Sequence, residues 1–257
     1  LDGRCPGPVL FGLALCSLLA ACAGSATQTD MPGPDVSVAE PALREGCNPL
    51  GGGPDEDCFL PFPSDFYTRP DNTSPTGLRV EVPAGVLPVP RKGPPIDPAQ
   101  LGRRDGFSPA TPILAYLPKA RSTAGVASGS VDPKSLPEAG HIEETLGPSS
   151  TVQLLRYDTG ERVPLLAEVD RNAGPNERQA IVIYPQLRLR PKTRYVVALR
   201  GVMGFGTPNP SGAASHEVLP PPAGFRVLRD DKLHRGSVRS RLRARYAEIF
   251  TLLEKQG

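Results

Sequence analysis

The longest uncharged apolar run in the chain is Val9–Ala21 (VLFGLALCSLLAA). A membrane-crossing helix needs roughly 20 apolar residues, so the run predicts the core of a secretory signal rather than a span. It stops at small residues and meets Gly24, Ser25, Thr27 and Pro32, which suits a cleavage region. From Ala23 to about Gly46 the residues are small, polar and Pro-containing, too poor in apolar side chains to build a core, and predict a flexible tether. Phe59–Thr68 (FLPFPSDFYT) is apolar and aromatic but broken by Pro61 and Pro63. It can neither continue a helix nor sit in a central strand. An extended strap across a folded body is expected, with a ligand groove as the alternative use of its rings. Leu78–Pro90 alternates apolar and polar before turning to Pro, and Ile96–Phe107 is rich in turn residues. Five strands are predicted, Thr111–Leu117, Thr151–Tyr157, Glu161–Val169, Gln179–Tyr184 and Thr193–Leu199, each β-branched or aromatic-rich and bounded by Gly, Pro, Asn or Asp. Asp158-Thr159-Gly160 is a hairpin turn between two of them. Helical periodicity appears only near the end, where Val238, Leu242, Tyr246, Ile249 and Leu253 fall on one face that requires something to pack against.

Composition strengthens this picture. The 257 residues are 39% hydrophobic and 22% charged with net charge +2, the balance of a folded domain. With 32 Pro, 27 Gly and no Trp, long helices should be few and strands short. The expected fold is mainly β, an immunoglobulin-like β-sandwich with an extended Pro-rich N-terminal strap and a C-terminal amphipathic helix. The Cys and Trp core marks of antibody domains are absent. The expected divisions are signal peptide 1–21, tether 22–46, strap 47–106, sandwich 107–228 and helix 229–257.

Cysteine usage adds chemistry. Cys5 and Cys16 fall in or before the signal, and Leu19-Ala20-Ala21-Cys22 resembles the bacterial lipobox. The resemblance implies that Cys22 receives a diacylglyceryl group, since a thiolate is nucleophilic enough to take it. Position 1 is Leu rather than Met, and the only basic residue ahead of the run is Arg4, partly offset by Asp2, so the natural start is expected upstream. Cys47 and Cys58 remain as an even pair, which in an exported chain predicts a disulfide closing a loop through Gly51, Gly52, Gly53 and Pro54. The alternative is a metal site joining them to Asp55, Glu56 and Asp57. Zinc wants four close N or S ligands and no His lies nearby, and the spacing is not that of a calcium loop. No metal or other cofactor is expected.

Catalytic motifs are missing. The string nearest to a nucleophile elbow, Gly125–Gly129 (GVASG), has Ala where the elbow needs Ser. His141, His216 and His234 lack a nucleophile or orienting acid at recognisable spacing and are expected in solvated loops. The polar side of the terminal helix carries Arg239, Arg241, Arg243 and Arg245, preceded by Arg229, Lys232 and Arg235. A basic helix can meet nucleic acid or anionic lipid, but an exported chain is away from nucleic acid. These arginines are expected to be solvated, with no nucleic-acid partner.

Four stretches, CNPLGGGPDEDCFLPFPSDFYT, DGFSPATPILAYLP, TGERVPLLAEVD and ERQAIVIYPQLRLRPKTRYVVALRG, resemble the N-terminal region of bacterial extracellular α/β-hydrolase proteins of the virulence-factor lipase type. The last is also similar to bacterial Ig-like modules, through Pro185, Leu189, Pro191, Thr193 and Tyr195. The likeness spans roughly residues 47–257, and RYAEIFTLLEKQG is similar to the joint ahead of a Ser-His-Asp hydrolase domain. No triad residue can be placed on this chain. The resemblance implies a non-catalytic N-terminal portion, anchored through Cys22 and supporting a downstream hydrolase domain in cis. A freestanding Ig-like surface-binding or adhesive lipoprotein is the alternative, and an enzyme complete in this chain a third. The expected location is the bacterial envelope outside the cytoplasm. Ala23 stands where Asp would resemble an inner-membrane retention signal, which favours the outer membrane.

Overall fold

The computed structural model describes residues 40–51, 58–121, 130–174, 177–207, 211, 215–233 and 235–257. The described residues fall in one compact unit; residues 1–39, with the predicted signal, Cys22 and most of the tether, lie outside the described residues. The described chain is mainly β, in small antiparallel sheets with few helices.

Strands β1 (Thr68–Pro70) and β2 (Leu78–Val80) form the first pair, with Thr68 opposite Val80. The turn between them is held by Asp71, which accepts from Thr73 and from Arg79 Nε at 2.9 Å. These hydrogen bonds, Thr73's foremost, hold its carboxyl well below the usual range. After the short helix α1 (Pro98–Leu101), capped by Asp97, come β3 (Ile113–Arg121), β4 (Val152–Arg156), β5 (Leu165–Val169), β6 (Arg178–Pro185) and β7 (Tyr195–Leu199). They match the five predicted strands in type and order. A hairpin of β8 (Met203–Phe205) and β9 (His216–Val218), then helices α2 (Ala223–Arg229) and α3 (Arg243–Gln256), complete the order.

One sheet runs β3-β6-β5 and a second pairs β4 with β7, Arg156 opposite Tyr195. The predicted strand Glu161–Val169 serves both. Arg156 N–H donates to Glu161 O, and Val163 N–H to Leu154 O, so its first residues extend the β4 sheet. Pro164 has no N–H to continue that ladder, and from Leu165 the chain pairs with β6 instead. The turn before it is the expected one, with Gly160 at φ +71°, a conformation that L side chains rarely adopt.

Alternate residues of both sheets meet in one buried cluster: Val152 and Leu154 from β4, Leu165, Ala167 and Val169 from β5, Ile181 and Ile183 from β6. Each large aliphatic side chain fully buried there contributes about 1.5–3 kcal/mol. A second cluster gathers around the fully buried Tyr67, with Val80, Val82 and Val86. Phe59 stacks on Phe62 at 4.8 Å and on Tyr67 at 5.3 Å, and Phe62 meets Phe107 edge-on at 5.3 Å. The rings of Phe59–Thr68 are therefore packing groups. Phe62 exchanges both backbone hydrogen bonds with Leu114 and so ties this cluster to the edge of β3.

Helix α3 differs from its expected extent. The periodic stripe from Val238 divides into a 3₁₀ turn at Ser240–Leu242 and an α-helix that starts at Arg243. It is fastened at several points: Tyr157 Oη donates to Glu248 at 2.6 Å, Arg200 Nη1 to Gly257 O at 2.7 Å, Arg162 to Gln256 O, and Arg245 lies 3.2 Å from Asp65. Leu155 and Val196, on the side of the β4–β7 sheet opposite Leu154, are nonetheless buried. These attachments lay α3 over that outer face as a third layer. The helix is thus held against the chain, though Val238 at the start of the stripe is 38% exposed and no residue of α3 is fully buried.

Candidate functional site

The described residues converge most densely on one side chain, Arg239. It is 2% exposed. Its Nε donates to Pro49 O at 2.7 Å, Nη2 to Gly51 O at 2.7 Å, and Nη1 to Pro41 O at 2.6 Å and to Glu40 Oε1 at 3.2 Å. A planar fork with five donors is the group able to satisfy several fixed carbonyls at once. The fit depends on Gly224 at the start of α2, where a Cβ would stand 2.0 Å from Gly51 O and 2.4 Å from Pro49 O. Phe225 N–H donates to Leu50 O at 2.7 Å. Segment 40–51 is thereby clamped between α2 and the turn that leads into α3. A hollow of about 200 Å³ opens beside the clamp, lined by Leu43 and Val238 among others. This corrects the expectation of a row of solvated arginines. Arg241, Arg243 and Arg245 are exposed, whereas Arg239 is the hub of the joint.

Cys47 and Cys58 are disulfide-bonded, as expected, which removes both thiolates from any metal site. Asp55, Glu56 and Asp57 lie outside the described residues. Arg44 Nε donates to Cys47 Sγ at 3.3 Å, and Tyr67 Oη reaches Cys58 O and Phe59 O. The bond pins the later part of the clamped segment to the aromatic cluster. Replacing the pair by Cys47→Ser/Cys58→Ser should cost about 3 kcal/mol by the loop-entropy account, read as a lowered urea midpoint.

Among the described residues, His141 and His216 join no catalytic set. His141 is half exposed beside Glu143 at 3.6 Å and Glu144 at 3.9 Å. His216 Nδ1 stands 3.0 Å from Asp132 Oδ2, a contact that the spacing of the sequence conceals. Asp132 is buried because it caps a 3₁₀ turn by accepting from Lys134 N–H. Ser135 on that turn donates to Asp132 O and accepts from Met203 N–H, so its hydroxyl is a backbone brace rather than a nucleophile. His234 and the Gly125–Gly129 string lie outside the described residues. Among the described residues, no three His, Cys, Asp or Glu side chains gather to hold a metal, and no helix is long and apolar enough to cross a membrane.

No family model, curated protein or solved structure matches the chain.

The attachment of α3 carries a pH signature. The hydrogen bond to Glu248, with burial behind it, raises the Tyr157 phenol, and burial with the Asp65 charge raises Tyr246. A group whose pKa is higher folded than unfolded stabilises fully below the unfolded value, near 10 for Tyr. That contribution is lost as pH rises through the folded value. Hydrogen exchange in α3, compared with that in β6, should accelerate selectively above about pH 10. Tyr157→Phe should remove part of the pH dependence.

Proposed function

We propose that this chain is a non-catalytic spacer, the N-terminal portion of a lipid-anchored envelope protein that couples an anchor at Cys22 to a downstream hydrolase domain. The observation that carries this is Arg239: segment 40–51, which includes the last residues of the expected tether, and the turn that leads into α3 are held by one buried guanidinium. Force entering along the tether would then reach α3 through Arg239, with the Cys47–Cys58 disulfide as a second attachment of the same segment to the body. The same reading takes the two sheets that share a core as an Ig-like sandwich, and residues 47–106 as a strap along its β3 edge. Support for the sandwich is the strand that changes sheets at Pro164. Support for the strap is the backbone pairing of Phe62 with Leu114.

The anchor is tested by growing bacteria that express the chain with radioactive palmitate. Label should be incorporated and should disappear in Cys22→Ser; an unlabelled wild-type protein in the membrane fraction would overturn the anchor. Sequencing the coding region beyond codon 257 tests the partner. A nucleophile elbow and the rest of a Ser-His-Asp triad should follow, and a frame that closes at Gly257 would overturn the supporting role.

A further inference from the structure

The chain as a whole is nearly neutral, yet from Arg178 to His216 it contains six Arg and Lys and not one Asp or Glu. Three of these, Arg188, Arg190 and Lys192, lie on the loop between β6 and β7. They are exposed and make no ion pair among the described residues. Three of the arginines around α3 differ in this respect, Arg229 being paired with Asp230, Arg243 with Asp231 and Arg245 with Asp65, whereas Arg241 is, like the loop residues, exposed without an ion pair among the described residues. At the same end of the sheets, Asp158 and Glu161 are both engaged by Arg156, so neither neutralises the loop.

The loop is also shaped. Leu189 turns inward against the main core, and Arg190 N–H donates to Tyr195 Oη at 2.9 Å, so the backbone is pinned at its middle. Leu187, two residues earlier, is left 61% exposed among the basic side chains. An apolar side chain on a pinned loop, close in sequence to three exposed cations that make no ion pair among the described residues, has the composition of an interfacial anchor. The cations meet lipid phosphates, and the leucine enters the boundary between headgroups and acyl chains.

We propose that the β6–β7 loop docks on an anionic phospholipid surface, with Arg188, Arg190 and Lys192 on the headgroups and Leu187 inserted. Charge complementarity selects the anionic surface. The leucine selects a bilayer over a soluble polyanion, which would leave it in water. The inference does not depend on acylation of Cys22. With an anchor present, the loop would fix how the body lies on the membrane and would act at high local concentration.

The test uses the full chain as Cys22→Ser, without acyl chains, in flotation with phosphatidylcholine vesicles with and without phosphatidylglycerol. The apolar run Val9–Ala21 and the cations outside the loop contribute to every sample alike, so the difference between wild type and loop variant in the phosphatidylglycerol-dependent part of the partition isolates the loop. Each surface cation near an anionic bilayer is worth roughly fivefold in partition, so Arg188→Glu/Arg190→Glu/Lys192→Glu should reduce that part about a hundredfold. Added salt should also reduce it. Leu187→Ser, which keeps the charges, should lower it several-fold, and amides 186–193 should exchange more slowly on the anionic vesicles. Equal partition of wild type and the triple variant would overturn the proposal. So would heparin binding as tight as vesicle binding and insensitive to Leu187→Ser, because the ligand would then be a soluble polyanion.

Discussion

Arg239→Ala is expected to lower the unfolding free energy by about 3–5 kcal/mol, the range for removing one partner of a buried charge pair. The loss has two parts. Glu40 loses the guanidinium from beside its buried carboxylate, and the carbonyls of Pro41, Pro49 and Gly51 lose their donor in a place water reaches poorly. Arg239→Lys should recover only a fraction, because an ammonium is a point donor and cannot span carbonyls that a fork reaches in one plane. Gly224→Ala attacks the same joint from the other side. Its Cβ would overlap the Gly51 and Pro49 oxygens, which belong to the backbone and can retreat only by withdrawing from Arg239. The two lesions break the same contacts, so the double variant should be less destabilised than the sum of the singles, by about 0.5–3 kcal/mol. Chemical denaturation of the four proteins of that cycle decides it. Strict additivity would mean that Arg239 and Gly224 do not share a joint.

Nothing in the sequence marks Arg239. It is one of four arginines at alternating positions before and within a helical stripe, where solvated side chains are the ordinary outcome. Its partners are mostly backbone carbonyls, which carry no residue code, and one of them lies 190 positions away along the chain. What a single sequence does encode is local. The five central strands were legible because β-branched runs stand between Gly, Pro, Asn and Asp. The hairpin at Asp158-Thr159-Gly160 was legible because its glycine takes a positive φ. The disulfide followed from the even pair left once the signal cysteines are set aside. Glu161–Val169 read as one strand because only Pro164 records the change of sheet. The His216–Asp132 contact escaped because it joins a hairpin to a distant 3₁₀ turn.

The second large effect concerns β4, where period-two patterning breaks down. Val152-Gln153-Leu154-Leu155 is buried at all four positions, although neighbouring residues of a strand point to opposite faces. Val152 and Leu154 belong to the core shared by the two sheets, so Leu155 must be covered from the other side. The attachments from Tyr157, Arg162 and Arg200 put α3 there. Leu155→Ala should therefore cost about 2–5 kcal/mol, as for any large aliphatic side chain removed from a closed site. Leu154→Ala should cost a similar amount, so stability alone does not separate the two faces. Local exchange does. Leu155→Ala should speed amide exchange along α3 while β5 and β6 stay protected, because the helix loses its floor and the core between the sheets does not. Leu154→Ala should loosen β5 and β6 instead. If α3 exchanges no faster in Leu155→Ala than in wild type, the helix is not the cover of that face and its stripe still lacks a partner. The outcome bears on the spacer reading, because a helix seated on β4 and β7 delivers load from the joint at Arg239 to the sheets, whereas an unseated one would pass it onward alone.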